Sequence, residues 1–142
     1  MIVDAGPIVA ASDIRDPRRT DVQAALLSMN EPLVVSAFVA AEVDYMLQTR
    51  IGVTAARMFI QDLSHGRYQL ETTTRAELST VEALSDRYRD LAPGLADLSV
   101  VVLAHRFQTN RILTFDQRHF RTMAPVSGGA FELLPMDDMR DR

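Results

Sequence analysis

The sequence predicts an α/β protein, a three-layer α/β/α sandwich in which helices cover both faces of a central, mostly parallel sheet. Short apolar runs typical of buried strands alternate along the chain with longer segments of helical periodicity. This alternation indicates a parallel sheet, because parallel strands are joined by crossover connections that are usually helical. With 142 residues, 47% of them hydrophobic, the chain is long and apolar enough for one such domain.

The first half of the chain predicts two strands and four helices. An apolar run over 1–3 ends at Asp4, and Pro7 suits the first turn of a helix. Turn-forming residues then separate a helix over 17–28, a buried strand over 33–36, and helices over 38–50 and 53–64.

The second half continues the same alternation. Its apolar spacing predicts a strand over 68–71, an amphipathic helix over 75–91, an apolar helix over 97–109, and strands over 112–115 and 131–134. No repeat or linker divides the chain. We therefore assign residues 1–135 to one domain and residues 136–142 to a polar C-terminal tail.

The composition excludes several classes of function. The chain has no cysteine, which rules out disulfide bonds, zinc–thiolate sites and a cysteine nucleophile. All 15 basic residues are arginine, which rules out chemistry that needs a lysine. The N-terminus lacks the basic region of a signal peptide and no run of 18 apolar residues occurs, so we expect a cytoplasmic protein without a membrane span.

Four acidic residues stand alone in apolar segments: Asp4, Glu42, Asp97 and Asp116. A carboxylate in such surroundings is unfavourable unless its charge is compensated. Asp4 and Asp116 directly follow predicted strands, and ligands of parallel sheets bind at that edge. Glu42 lies one turn into the helix after the second strand, and Asp97 begins its helix, so we expect all four to meet in one crevice.

Carboxylate oxygens are the ligands that Mg²⁺ and Mn²⁺ prefer, and we expect one or two such ions in this crevice. A site of this kind is suited to phosphoryl chemistry. Each acid also has a structural interpretation when taken singly. Asp97 suits a helix N-cap, and Asp4 and Asp116 suit turns after strands. Glu42 is the hardest of the four to explain in this way, since apolar residues flank it within a helix.

Through these residues the chain resembles the PIN-domain ribonucleases, and most closely the toxin subunits of VapBC-type toxin–antitoxin pairs. The resemblance spans residues 1–135 and rests on Asp4 after the first strand, Glu42 in VVSAFVAAEVDY, Asp97 in GLADLSVVVLAHR and Asp116 in ILTFDQRHF. It implies a PIN-like fold and an endoribonuclease dependent on Mg²⁺ or Mn²⁺. The implied substrate is structured RNA, transfer RNA or a ribosomal RNA loop, cut by metal-activated water to give 5′-phosphate and 3′-hydroxyl ends.

The resemblance also implies roles for individual residues. The four acids would be the catalytic metal ligands, and Thr114 would support them. Ala5 is a departure, because the family usually has serine or threonine directly after the first aspartate. One possible metal or phosphate contact is therefore missing, which predicts a weaker activity.

The sequence gives weaker evidence for the residues that bind the RNA substrate. Guanidinium groups suit phosphate contacts, and we expect RNA to bind Arg15, Arg18, Arg19 and Arg118, although a solvated surface explains any single arginine equally well. Arg106, Arg111 and Arg121 also lie near the acidic segments in sequence. His119 is more readily interpreted as structural than as catalytic.

Relatives of this type form homodimers and are inhibited by a cognate antitoxin that packs near the active site. The apolar side chains available for such a groove, or for the core, are Phe38, Tyr45, Met46 and Met58. Two other functions stay open: a non-catalytic PIN-like interaction module, and a metal-dependent nuclease acting on DNA. Phosphatases with an aspartyl-phosphate intermediate are disfavoured, because they require a lysine.

Overall fold

The computed structural model describes residues 1–138 and contains a five-stranded sheet whose strands are all parallel. Along the chain the elements are β1 Ile2–Val3, α1 Ala5–Ser12, α2 Arg19–Ser28, β2 Val34–Ser36, α3 Ala37–Arg50, α4 Val53–Ser64, β3 Gln69–Glu71, α5 Arg75–Arg87, α6 Leu95–Arg106, β4 Arg111–Leu113, α7 Gln117–Thr122 and β5 Glu132–Leu134. The predicted alternation of strands and helices is confirmed.

The sheet has the order β3-β2-β1-β4-β5, with β1 at its centre. Ile2 of β1 pairs with Val34 on one side and with Ile112 on the other. Both of the residues of β1 are fully buried, as are the apolar residues of β2 and β4. Strands that are apolar on both faces require helices on both faces, so the predicted layering is confirmed as well.

The central position of β1 determines where a ligand can bind. The chain builds outward from β1 through β2 to β3, and then returns to the other side of β1 with β4 and β5. Between β1 and β4 the order therefore reverses, and the helices that follow these two strands leave a crevice at their carboxyl ends. Asp4 follows β1 directly and Asp116 lies three residues beyond β4.

Several element boundaries differ from the sequence prediction. The first helix begins at Ala5 rather than Pro7, because the Asp4 side chain accepts a hydrogen bond from the Ala5 amide and caps the helix. The sixth helix begins at Leu95, which places Asp97 within its first turn rather than at its start. Helix α7 was not predicted, since its six residues are too few to show a helical period.

The polar tail is only partly within the described residues. Residues 135–138 form a turn in which the Asp137 carboxylate accepts a hydrogen bond from the Leu133 amide at 2.7 Å and pairs with Arg121. The rest of the predicted tail, 139–142, lies outside the described residues. Within 1–138 no helix combines the length and the apolar character needed to cross a lipid bilayer.

Candidate functional site

Asp4 is the buried centre of the crevice at the carboxyl ends of β1 and β4. Its side chain is 7% exposed and accepts hydrogen bonds from the Ala5 amide at 2.8 Å and from Thr114 Oγ1 at 2.7 Å. Burial, with a smaller contribution from the charges of Asp97 and Glu42, raises the pKa of Asp4 to about 6 despite these hydrogen bonds. Asp4 is thus an acid whose ionised form is poorly compensated by the protein.

Thr114 connects two of the predicted site residues. Its hydroxyl donates to Asp4 Oδ2 and accepts a hydrogen bond from the Asp116 amide at 2.9 Å. The residue is fully buried, immediately after β4, so neither hydrogen bond competes with water. Thr114 therefore fixes the carboxylate of Asp4 relative to the backbone that carries Asp116.

Asp97 and Asp116 face each other across the imidazole of His119. Nδ1 of His119 lies 2.6 Å from Asp116 Oδ2 and 3.7 Å from Asp97 Oδ2. The second oxygen of Asp116 accepts the His119 amide at 3.0 Å and caps α7. One ligand atom from each of these three residues lies within 4.8 Å of the other two.

Glu42 is an exposed residue in the second turn of α3, so its apolar neighbours in sequence do not bury it. The start of α3 is held against α6. Ser36 Oγ caps α3 by accepting the Phe38 amide at 3.1 Å, and it lies 2.6 Å from Ser99 Oγ on α6. Partial desolvation raises the pKa of Glu42, and the negative charge of Asp97 adds to the shift. The two acids therefore interact electrostatically, although they come from different helices.

Asp4, Glu42 and Asp97 therefore interact electrostatically, and the positive charge of Arg50 offsets part of the shift at Glu42. Asp116 joins the group through His119, which lies between it and Asp97. Among residues 1–138, no arginine lies within 4.0 Å of any of their carboxylates. The donor set consists of carboxylate oxygens, the Thr114 hydroxyl and one imidazole nitrogen. This chemistry fits a divalent cation such as Mg²⁺ or Mn²⁺, and the buried carboxylate of Asp4, whose charge no cationic side chain compensates, is the structural observation that supports it.

The predicted RNA-binding arginines differ in their exposure and in their ion-pair partners. Arg15 and Arg18 are exposed and pair with Asp13 and Asp16, and the guanidinium of Arg18 also lies 4.0 Å from the centre of the Phe115 ring. The Nε atom of Arg19 is buried without a hydrogen-bond partner. Arg118, one residue before His119, is exposed and forms no ion pair within the described part of the chain.

The remaining sequence-adjacent arginines are engaged elsewhere. Arg106 pairs with Glu71 and Glu77, whereas Arg111 pairs with Glu31 and Glu132. Arg121 pairs with Asp137. Proximity in sequence to Asp97 and Asp116 therefore does not direct these three side chains towards the acids.

His119 is the site residue that the sequence interpretation undervalued. Only its position three residues after Asp116 pointed to the site, since a residue at that spacing lies on the same helix face. Of the apolar side chains considered for a partner groove, Tyr45 is 69% exposed and Met58 is 62% exposed, whereas Phe38 and Met46 are partly buried. Tyr45 and Met58 are therefore surface residues rather than core.

Comparisons with known proteins agree with this architecture. The family profile described as "PIN domain" matches residues 1–124. Ribonuclease VapC26 of Mycobacterium tuberculosis is 37% identical over 135 residues, which are 95% of this chain and 100% of that protein. The crystal structure of VapC20 of the same organism, described as a sarcin-ricin loop cleaving toxin, superposes with a TM-score of 0.77 at 17% identity. It covers 83% of this chain and 91% of that one.

Proposed function

This chain belongs to the PIN-domain family, and from that membership we propose that it is a VapC-type toxin, an endoribonuclease that requires a divalent cation. The observation that carries the proposal is the group of four acids at the β1–β4 crevice, none of which has an arginine partner within 1–138. A relative at 37% identity over nearly the whole chain is named a ribonuclease, which supports RNA as the substrate.

Asp4, Glu42, Asp97 and Asp116 are the residues that would hold one or two Mg²⁺ or Mn²⁺ ions. When bound, such a cation lowers the pKa of a water molecule and stabilises the charge that develops on the leaving oxygen. The protein's own part is to keep the acids oriented. Thr114 fixes the Asp4 carboxylate, and the Ser36–Ser99 contact holds the helices that carry Glu42 and Asp97.

The exposed arginines supply the phosphate contacts in this proposal. Arg118 follows Asp116 by two residues and has no acidic partner within 1–138 that would compete with a phosphate. Arg15 and Arg18 are held by exposed ion pairs with neighbouring aspartates, and pairs of this kind are weak enough to exchange for RNA. Structured RNA, a transfer RNA or a ribosomal RNA loop, is the proposed target. Cleavage would leave 5′-phosphate and 3′-hydroxyl ends.

The experiment that tests this function is cleavage of total cellular RNA by the purified protein in Mg²⁺ or Mn²⁺, with the fragment 5′ ends mapped by sequencing. We expect discrete 5′-phosphate ends that disappear with a chelator and with Asp4→Asn. A duplex and a single-stranded DNA of matched sequence, tested in parallel, separate a ribonuclease from a deoxyribonuclease.

Two outcomes would contradict the proposal. Cleavage that persists in the chelator would reject the cation requirement. A folded, antitoxin-free protein that binds RNA or protein partners but cuts no nucleic acid would favour the non-catalytic interaction module. Ala5 would then be the first residue to replace by serine.

Inhibition by an antitoxin and assembly into a homodimer belong to the same proposal. Tyr45 on α3 and Met58 on α4 are exposed on two helices that pack against each other, and they offer apolar surface to a partner. We expect Tyr45→Ser to weaken antitoxin binding while RNA cleavage by the free toxin is retained. Light scattering is expected to give twice the 15.8 kDa mass of one chain. We place the protein's action in the cytoplasm, where its RNA substrates are.

A further inference from the structure

We infer that His119 is a metal ligand, and that its imidazole nitrogen makes the site prefer Mn²⁺ to Mg²⁺. This inference rests on the proposed function, because it concerns the same cation site. It adds a nitrogen donor to a set that is otherwise composed of oxygen atoms.

The position of the imidazole is the first observation. Nδ1 of His119 lies 2.6 Å from one oxygen of Asp116 and 3.7 Å from one oxygen of Asp97. A histidine that only stabilises a helix end needs one partner, whereas this ring nitrogen faces two acids from different segments of the chain. The three donor atoms lie within 4.8 Å of one another, whereas ligands that each stand about 2.1 Å from one ion are about 3 to 4.2 Å apart. The 2.6 Å contact between Nδ1 and Asp116 is a hydrogen bond, so the ion would take the place of its proton and separate the two atoms slightly.

The way in which His119 is held is the second observation. Asp116 accepts the backbone amide of His119 with its other oxygen, so the carboxylate and the ring are fixed from the same short segment. The ring is largely shielded, with 18% of the side chain exposed. Little conformational entropy remains to be lost when His119 and Asp116 bind an ion together.

The chemistry of the donor set leads to the selectivity. Mg²⁺ prefers oxygen ligands and retains its water, whereas affinity for nitrogen donors rises along the first-row transition metals. Replacing one oxygen by a neutral imidazole nitrogen therefore favours Mn²⁺ relative to Mg²⁺. Because Asp97 and Asp116 share that ion with His119, the selectivity acts on the metal of the proposed cleavage site.

The test is metal binding by the whole protein, measured without RNA. Mn²⁺ is titrated by electron paramagnetic resonance and then displaced with Mg²⁺, for the wild type, His119→Asn and His105→Asn. Asparagine retains a hydrogen-bond donor towards Asp116 but lacks the imidazole. His105 is an exposed residue of α6 and provides the matched control. We expect His119→Asn to reduce the Mn²⁺/Mg²⁺ affinity ratio about tenfold or more, and His105→Asn to leave it unchanged.

A second readout on the wild type does not depend on any variant folding. Pulsed electron paramagnetic resonance of bound Mn²⁺ is expected to show the modulation of a directly coordinated nitrogen, which changes when the histidines carry ¹⁵N. Bound Mn²⁺ without nitrogen coupling would overturn the inference and leave the proposed nuclease intact. Failure of the wild type to bind Mn²⁺ at all would overturn both. Nitrogen-coupled Mn²⁺ in a protein that cuts no RNA would reject only the nuclease.

Discussion

The crevice at β1 and β4 and the surface cluster around Arg106 both gather acidic side chains, but their electrostatics are opposite. Arg106 donates to Glu77 at 2.7 Å, to Glu71 at 2.8 Å and to the Thr72 carbonyl at 2.7 Å. The hydrogen bonding of Arg106 to Glu77, helped by Thr74, lowers the pKa of Glu77 to about 2. In the crevice, burial raises the pKa of Asp4 to about 6.

The difference separates acids whose charge an arginine compensates from Asp4, whose charge the fold leaves uncompensated and which holds a cation in the proposed function. A carboxylate with an arginine partner contributes to the stability of the folded protein, whereas a buried carboxylate without one reduces it. A protein that retains a buried carboxylate without a cationic partner is less stable for it. In this chain that carboxylate lies at the edge of the sheet where parallel α/β proteins bind ligands.

The comparison is tested most strongly by making the same change, carboxylate to amide, in each region. We expect Asp97→Asn to reduce RNA cleavage about 10³-fold, because several kcal/mol of transition-state stabilisation depend on the cation that this acid helps to hold. We expect Glu77→Gln to leave the cleavage rate within about twofold. Single-turnover cleavage of a mapped substrate measures both.

The Asn side chain at position 97 still accepts the Gly94 amide, which donates to Asp97 Oδ2 at 2.9 Å in the wild type. Loss of activity would therefore not be a consequence of an uncapped helix, and unchanged thermal unfolding would verify this. Equal rates for Asp97→Asn and the wild type would remove the functional distinction between the two regions.

Removing Arg106 from the surface cluster should reduce the stability of the protein and leave its activity unchanged. We expect Arg106→Gln to lower the free energy of unfolding at pH 7 by about 1 to 2 kcal/mol, since it leaves the partly exposed carboxylates of Glu71 and Glu77 without their arginine partner. The folded-state pKa of Glu77 lies below its ordinary 4.5, so its contribution is present above pH 4.5 and is lost as the pH falls through about 2. Urea unfolding at several pH values should show the wild type and the variant converging in acid.

In the crevice, removing the charge should raise the free energy of unfolding instead of lowering it, and this difference should disappear in acid. In a chelating buffer at pH 8 we expect Asp4→Asn to raise the free energy of unfolding by about 1 to 2 kcal/mol, because it removes a buried charge and keeps an acceptor for the Ala5 amide. Urea unfolding at pH 8 and at acid pH measures the gain and its pH dependence.

The pKa of Asp4 is raised in the folded state, from 3.8 to about 6. The stability associated with the protonated carboxyl is therefore complete below pH 3.8 and is lost as the pH rises through 6. The advantage of Asp4→Asn should accordingly disappear in acid. A variant less stable than the wild type at pH 8 would mean that hydrogen bonds outweigh desolvation at Asp4.

Much of the fold could be predicted from the sequence, and so could the edge of the sheet at which Asp4 and Asp116 lie. Buried strands appear in the sequence as short apolar runs. In a parallel sheet all strands end at the same edge, so residues that directly follow a strand lie at that edge. Asp4 and Asp116 were therefore placed together by topology alone. The apolar flanks of Glu42 predict a buried charge, but the structure exposes this residue, because its flanking residues in sequence do not all lie on its face of the helix.

What could not be predicted depends on tertiary contacts between distant segments. Nothing in the sequence pairs Arg106 with Glu71 and Glu77, which lie 35 and 29 residues away. The Ser36–Ser99 contact spans 63 residues and resembles any pair of serines. The place of His119 between two acids requires the α6 and α7 segments to be brought together first.

The smallest effect is expected where the crevice departs from the family pattern. Ala5 is 5% exposed at the first position of α1, and its amide donates to Asp4 Oδ1. We expect Ala5→Ser to raise RNA cleavage about two- to tenfold, because one added hydrogen bond or ligand contact contributes about 0.5 to 1.5 kcal/mol. Ala76→Ser, at the second position of α5 beside Glu77, is the matched change in the compensated cluster and should leave the rate unchanged. If Ala5→Ser lowered cleavage with no loss of stability, a hydroxyl at this position would interfere with the site, and Ala5 would be part of how this chain works rather than a deficiency.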